Sequence, residues 1–231
     1  MDGIYLPQEG QIDNQQLLIS LQATLEEANV NWKNNVEISS FDHLHSFDTI
    51  IDCRGLGSRA DLPHLRGVRG ELVVVEAPEV NLTRPVRLMH PRHPIYIVPR
   101  QNNRYIIGAT SIESDDMRPI TVQSTLELLS AACTVHPAFA NAIILESKVN
   151  CRPALADNLP AIILSQENDT PQNIKIAGLY RHGFLVTPKM AKLVLSYIKT
   201  KQIDPIYRKL FKSSDTVKQF TEGEPALAIS H

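Results

Sequence analysis

The chain has 231 residues, 43% of them hydrophobic and 21% charged, ordinary proportions for a folded globular protein. That excludes a disordered or collagen-like chain, and the length is enough for a substantial core without disulfide staples. Lys and Arg number 23 against 25 Asp and Glu. The formal net charge of −2 therefore makes no general case for nucleic acid, a membrane surface or a polyanion as partner.

Cys53, Cys133 and Cys151 are odd in number and far apart, which points to free thiols in a reducing compartment. No pair has CxxC spacing, so no zinc site of that kind is expected. The opening MDGIYLPQEG has neither the basic nor the apolar region of a signal peptide. No apolar run approaches the ~18–20 residues of a membrane helix. The expectation is a soluble, cytoplasmic protein of one large domain or two small ones.

In chain order, Ile12, Leu17, Leu18, Leu21, Leu25 and Ala28 predict one apolar helix face, with Asp13 as N-cap. Val36–Ile38 is a short strand candidate. Phe47–Cys53 reads as a buried strand running into the turn Gly55-Leu56-Gly57. Val68–Ala77, Ile95–Arg100 and Tyr105–Ala109, with an Asn102-Asn103 turn, suggest antiparallel hairpins. A helix is expected over Thr121–Thr134, stopped at His136-Pro137, and then extended chain over Ile143–Arg152. Ala161–Leu164 and Ile174–Ala177 are short β runs, the second feeding a loop over Gly178–Val186. Thr187-Pro188 has the form of an N-cap followed by Pro at the first helical position. Met190, Ala191, Leu193, Val194, Tyr197 and Ile198 supply the face of that helix, and beyond Lys199 the tail reads as polar and peripheral.

Gly55-Leu56-Gly57-Ser58-Arg59-Ala60 has the spacing G-x-G-x-x-A of a dinucleotide turn. Such a turn must open a helix aimed at a pyrophosphate, and Asp61-Leu62-Pro63 interrupts any helix here, which favours a tight strand-exit turn. The strand–loop–helix unit over Ile174–Ile198 is the better anion site, because a helix start presents unpaired N–H groups; Arg181 and His182 add donors. An ordinary βα connection remains the other reading. Arg84, Arg87, Arg92, Arg100 and Arg104, with His90 and His93, form a local basic cluster. It reads as a phosphate or RNA patch, or as a charged hairpin edge, and the edge weighs more. Arg152, at the end of an apolar strand before Pro153, needs an anionic ligand or an internal partner, for which Asp157 is the candidate. No Ser-His-Asp set, Walker loop or metal-spaced cluster occurs.

Six motifs occur in a fixed order: DCRGLGSR from Asp52, RGVRGE from Arg66, YIVPR from Tyr96, IGAT from Ile107, CRP from Cys151 and GLYRHGF from Gly178. Together they resemble the FAD-dependent D-amino-acid oxidase superfamily, most closely its glycine oxidase branch associated with thiamine biosynthesis, over about residues 2–198. The resemblance implies an α/β (α+β) fold: a partial FAD-binding Rossmann-like domain interrupted by an antiparallel-sheet substrate domain. Its parts would be residues 1–65 and 151–200 for FAD, 66–150 for substrate, and a polar tail at 201–231.

The resemblance further implies hydride transfer from the α-carbon of an amine substrate to the flavin, giving an imine that hydrolyses to a 2-oxo acid and ammonia. Arg152 would hold the substrate carboxylate, Tyr96 would line the pocket, and Arg181 would sit beside substrate and flavin. Val36, Gly55, Leu179, Tyr180, Arg181, His182, Gly183, Phe184 and Leu185 would contact the cofactor. Family members begin with a βαβ unit carrying G-x-G-x-x-G, and the match here starts beyond it. A complementing N-terminal fragment or self-association is therefore expected to cover apolar edges, with FAD held weakly by this chain alone. A catalytically inactive remnant, or the flavin half of a tRNA-modifying oxidoreductase, is the alternative.

Overall fold

The computed structural model describes residues 3–92, 94–165 and 171–214. Its elements are α1 (Asn14–Glu27), β1 (Thr49–Asp52), β2 (Arg66–Glu76), β3 (Val86–Leu88), β4 (Ile95–Pro99) and β5 (Arg104–Gly108), then α2 (Val122–Val135) and β6 (Ile143–Ala154). β7 (Ala161–Leu164), β8 (Gln172–Ala177), α3 (Gly183–Thr200) and β9 (Phe211–Ser213) complete the order. The chain forms two compact units, one from Met1–Lys33 and Arg69–Cys151, the other from Asn34–Val68 and Arg152–His231. Residues 1–33, which the sequence reading assigns to the FAD segment, thus group with the antiparallel part.

In the first unit the sheet order is β3-β4-β5-β2-β6. The β4–β5 hairpin closes where the sequence suggests: Asn102 and Asn103 take φ values of 60° and 54°, the paired left-handed residues that match strand twist. Alternate residues Val73, Val75, Ile97 and Ile107 point into one core and meet Leu128, Ala131 and Ala132 of α2. Tyr105 packs edge-on against Phe139, with ring centroids 5.4 Å apart. α2 is capped by Thr121, whose hydroxyl accepts from Ser124 N at 3.1 Å, and it ends at His136 before Pro137. Arg69 and Glu71 are buried as a pair: Arg69 donates to Glu71 Oε1 from Nε at 3.0 Å and from Nη2 at 2.6 Å. Thr110 Oγ1 satisfies the other oxygen at 3.1 Å, and Arg69 Nη2 also reaches the Pro119 carbonyl at 2.9 Å. Burying two charges is tolerable only with this degree of satisfaction.

α1 begins as expected, with Asp13 accepting from Gln15 N and Gln16 N at 3.0 and 3.2 Å. Its apolar face does not pack. No residue of α1 is buried, and Ile12, Leu18, Leu21 and Leu25 are all exposed. A cap fixes where a helix starts, but a buried face requires a second surface, and among the described residues α1 has none. The segment before it is held by the arginine-rich hairpin instead. Arg87 pairs with Glu9 at 2.8 Å, Arg84 stacks on Tyr5 at 5.1 Å, and Gln11 Nε2 donates to Pro99 O at 2.8 Å. Arg100 Nε lies 3.6 Å from Asp13. His93 lies outside the described residues.

In the second unit the sheet order is β1-β8-β7-β9. β1 runs parallel to β8, β7 antiparallel to β8, and β9 parallel to β7. Met190, Leu193, Val194 and Tyr197 of α3 cover one face through Ile162 and Ile174, while Ala191 of the expected face is exposed. Leu62, Leu65 and Leu155 cover the other face through Ala161, Ile163 and Ala177.

Three expectations are corrected in this unit. Val36–Ile38 is irregular, and the Ile38 carbonyl accepts from Arg54 Nη1 at 2.9 Å rather than from a neighbouring strand. The chain after Lys199 is not merely peripheral. Lys201, at φ 56°, ends α3; a 3-10 turn over Pro205–Leu210 follows, and β9 then extends the sheet. Residues 215–231 of the expected tail lie outside the described residues. Thr187-Pro188 does not start the helix, for reasons given below.

Candidate functional site

The C-terminal ends of the parallel strands β1 and β8 lead into two glycine turns, each forced to positive φ. Gly55 has φ 58° and Gly178 φ 70°. A Cβ at Gly178 would come within 2.7 Å of Leu155, so this position excludes a side chain on two counts. From Gly178 the chain makes a 3-10 turn over Tyr180–His182, closed by His182 N donating to Leu179 O at 3.0 Å, and passes directly into α3. The helix therefore begins at Gly183, five residues before the expected first helical position at Pro188. Thr187 is a helical residue whose hydroxyl donates back to Gly183 O at 2.7 Å. Pro188 sits inside the helix, where its missing N–H removes one ladder bond. The free N–H groups of the helix start belong to Gly183 and the residues just after it, not to Thr187 onward.

Between β1, β8 and α3 lies a cavity of about 450 Å³. Its wall is formed by Ile51, Cys53 and Gly55 from β1 and its exit, Ile176–Leu179 from β8, and Pro153. α3 contributes Thr187, Met190, Ala191, Val194, Leu195 and Ile198. Apolar side chains dominate, and Thr187 already spends its hydroxyl on its own helix. Cys53 is exposed; partial desolvation, with the Asp52 charge adding to it, still pushes its thiol above the usual range, so Cys53 is not a poised thiolate. β1 is the edge of this sheet among the described residues, and Ile51 on it is 48% exposed.

Of the residues singled out in the sequence, Gly55 and Leu179 line this cavity, and Arg152 precedes a third lining residue, Pro153, at the end of β6. Arg152 is half-buried. Asp157, the candidate internal partner, accepts from Lys212 Nζ at 3.2 Å and from Leu159 N at 3.0 Å. Arg181 stacks on Tyr180 at 5.0 Å. Arg181, His182, Phe184 and Leu185 are exposed and stand outside the cavity wall, with Gly183 starting the helix beside them. Val36 is exposed in its irregular segment. Tyr96 lies on β4 in the other unit, half-buried; its phenol packs so tightly on Gly108 that a Cβ there would meet Tyr96 Oη at 2.8 Å.

A four-charge cluster beneath the β1 turn escaped the sequence reading. Arg54 grips Asp52 bidentately, Nε to Oδ1 at 3.0 Å and Nη2 to Oδ2 at 2.9 Å, and reaches Asp61 Oδ2 at 2.7 Å. Lys175 Nζ bonds the same two carboxylates at 3.1 and 2.6 Å. The Phe41 ring lies 4.6 Å from the Arg54 guanidinium and 4.8 Å from Lys175 Nζ. Burial pushes the Asp52 carboxyl up, but Arg54 and Lys175 outweigh it and hold the group at about 2. The cluster fixes the exit of β1, and with it Gly55 in the cavity wall.

The residues present fit one end of a flavin cofactor. An apolar slot along a helix suits a planar ring, and the free N–H groups at Gly183 lie at the helix start, beyond the residues that line the slot. They do not supply a pyrophosphate cradle. The turn after β1 is a 3-10 helix over Gly55–Ser58 and continues toward Pro63 without opening an α-helix.

Parallel strands delivering turns to an apolar cavity under one helix, in a chain whose middle is an antiparallel sheet, define a mixed α/β architecture of the kind that places ligands at strand ends. The chain belongs to the FAD dependent oxidoreductase family, whose model matches residues 1–196. It is 48% identical over 203 residues to the thiamine biosynthesis oxidoreductase ThiO of Rhizobium etli, covering 87% of this chain and 59% of that protein. It is 28% identical over 217 residues to the glycine oxidase of Geobacillus kaustophilus, covering 86% of this chain and 56% of that protein. The crystal structure of the Geobacillus glycine oxidase superposes with a TM-score of 0.53 at 31% identity, over 64% of this chain and 39% of the enzyme. An iminodiacetate oxidase of Chelativorans shares the fold, with a TM-score of 0.59 at 22% identity over 72% of this chain and 46% of that one. FAD is the cofactor of the complete enzymes of this family. The chain spans a little over half the length of the curated relatives named here.

Proposed function

We propose that this chain is the C-terminal, flavin-facing and substrate-binding part of an FAD-dependent amino-acid oxidase acting on glycine or a similarly small amine. The observation that carries the reading is the apolar cavity along α3 from Thr187 to Ile198, lined also by Gly55, Pro153 and Leu179 at the ends of three strands. Bound FAD would supply the hydride acceptor. Arg152, next to that wall, would hold the substrate carboxylate with a bidentate guanidinium, fixing which face of the α-carbon meets the ring. Tyr96 would line the substrate pocket, as the family resemblance implies. The backbone N–H groups at Gly183 would stabilise negative charge gained by the ring system, and the apolar wall would keep water out. No general base is needed for hydride loss from a neutral amine.

The pyrophosphate would be held by a dinucleotide-binding segment docked against the open β1 edge. The compartment proposed is the cytoplasm. Among the described residues, no helix is long and apolar enough to cross a membrane. The test is a steady-state assay of glycine-dependent peroxide formation by the full chain combined with the unmatched part of the Rhizobium relative. Arg152→Ala should raise KM by at least ~30-fold, the lower bound for losing a charge-assisted contact worth ~2–5 kcal/mol. An unchanged KM removes Arg152 from the site.

A further inference from the structure

The β2–β5 ladder breaks just past the glycine on which Tyr96 rests. Gly108 is the register partner of both Leu72 on β2 and Tyr96 on β4. The Tyr96 phenol lies across it, so close that a Cβ at Gly108 would meet Tyr96 Cζ at 2.9 Å. Further along, the two chains meet again at Arg69 and Ile112, whose backbones exchange hydrogen bonds at 2.8 and 3.0 Å. Between these pairings β2 contributes Gly70 and Glu71, while the chain leaving β5 contributes Ala109, Thr110 and Ser111. The β5 side thus carries an extra residue, which is a bulge, and bulges bend a strand and re-aim the side chains beside them.

A bulge interrupts the ladder, and here side chains make good the loss. The Thr110 hydroxyl accepts from Glu71 N at 2.9 Å, in place of a strand carbonyl, and donates to Glu71 Oε2 at 3.1 Å. Thr110 N donates in turn to the Glu71 carbonyl at 3.2 Å. Glu71 is wholly buried, and its other oxygen is taken by Arg69, which also donates to the carbonyls of Asp116 and Pro119. Ser124, near the start of α2, adds a side-chain hydrogen bond to the same carboxylate. Apolar residues of similar volume often replace a buried ion pair at no loss, so stability alone is a weak reason for this one. What the network does hold in a single arrangement is the bulge, which begins at the residue after Gly108.

We propose that Glu71 and Thr110 are positioning residues for Tyr96: the buried carboxylate pins the bulge at 109–111, and the bulge sets the tilt of the phenol over Gly108 and with it the fit of a small amino acid. Neither residue has to touch substrate. The inference rests on the reading of Tyr96 as a residue of the substrate pocket, and all the groups it uses belong to the antiparallel unit.

Fluorine NMR of the full chain labelled with fluorotyrosine tests the linkage with no cofactor added. Tyr96→Phe identifies the Tyr96 signal by its loss. Thr110→Val, matched in shape but lacking the hydroxyl, should shift that signal and leave those of the other tyrosines in place. Thr110→Ser, which keeps the hydroxyl, should hold it at the parent position. Thr110→Ala serves the same comparison if Thr110→Val does not fold, and Glu71→Gln should move the signal as well. In the enzyme completed with the unmatched part of the Rhizobium relative, Thr110→Val should raise KM for glycine roughly tenfold at unchanged kcat, the pattern of uniform binding lost through misplacement. A Tyr96 signal that stays in place when the hydroxyl is removed overturns the proposal. So does a KM that rises in Tyr96→Ala but not in Thr110→Val. A KM unmoved by Tyr96→Ala itself overturns the pocket reading of Tyr96, while the fluorine shift still decides whether Thr110 and Glu71 position the ring.

Discussion

Asp52 and Lys175 are register partners across the parallel β1–β8 ladder, and Lys175 Nζ reaches Asp52 Oδ2 at 3.1 Å. The ion pair thus ties together the two strands whose ends form the cavity wall. Arg54, two residues beyond Asp52, closes the cluster from the turn itself. Electrostatics here serve geometry: the cluster holds Gly55 at its left-handed φ and positions the wall next to Pro153.

Removing the buried carboxylate leaves Arg54 and Lys175 sharing only Asp61, which they reach at 2.7 and 2.6 Å. Asp52→Asn should destabilise the chain by about 3 kcal/mol, the lower end for breaking a buried pair, because Arg54 and Lys175 retain some contact with water. The native carboxyl titrates at about 2 instead of its ordinary 3.8. A depressed folded-state value means its stabilisation is complete above 3.8 and is lost as pH falls toward 2. The gap in urea midpoint between parent and Asp52→Asn should therefore be widest near neutral pH and narrow across that acid window. A gap that stays constant down to pH 2 would contradict the assignment.

Gly178→Ala combines backbone strain with a clash on Leu155. It should cost about 1–3 kcal/mol from the left-handed conformation alone, with the overlap added to it. Pairing it with Leu155→Ala relieves only the overlap, so the double variant should recover part of the effect of the glycine change and not all of it. Thermal unfolding of the single and double variants gives the comparison. Complete recovery would show that the φ of 70° carries no cost.

Gly108→Ala should displace the Tyr96 phenol, which lies 2.8 Å from where the new Cβ would stand. Overpacking of this kind destabilises by about 1–3 kcal/mol. If Tyr96 lines the substrate pocket, KM for glycine in the reconstituted enzyme should rise together with that loss. A lower unfolding temperature with KM unchanged would leave Tyr96 a structural residue.

Local signals carried well where the chemistry is local. The Asn102-Asn103 turn, the Asp13 cap and the Met190–Tyr197 periodicity each depend on neighbouring residues and are visible in the sequence. β3 was missed because Val86–Leu88 is too short for a period to show, and β9 because Phe211–Ser213 sits in a polar context. The start of α3 was misplaced because Thr187-Pro188 mimics a cap. The compact turn at Tyr180–His182 wins by stacking directly into the helix. The Asp52 cluster depends on Lys175, 123 residues away, and only strand pairing brings them together. An Asp two residues before an Arg at a strand exit was its one visible trace. The open face of α1 was unreadable for the opposite reason: periodicity announces an apolar face but not whether anything covers it.

The most direct test of the account is an equilibrium titration of FAD, followed by flavin fluorescence. It compares the full chain alone with the full chain plus the part of the Rhizobium relative that it does not match. The account predicts feeble binding by the chain alone and one tightly held FAD per complex once that part is present. Stoichiometric binding by the chain alone, or none in the mixture, would contradict it.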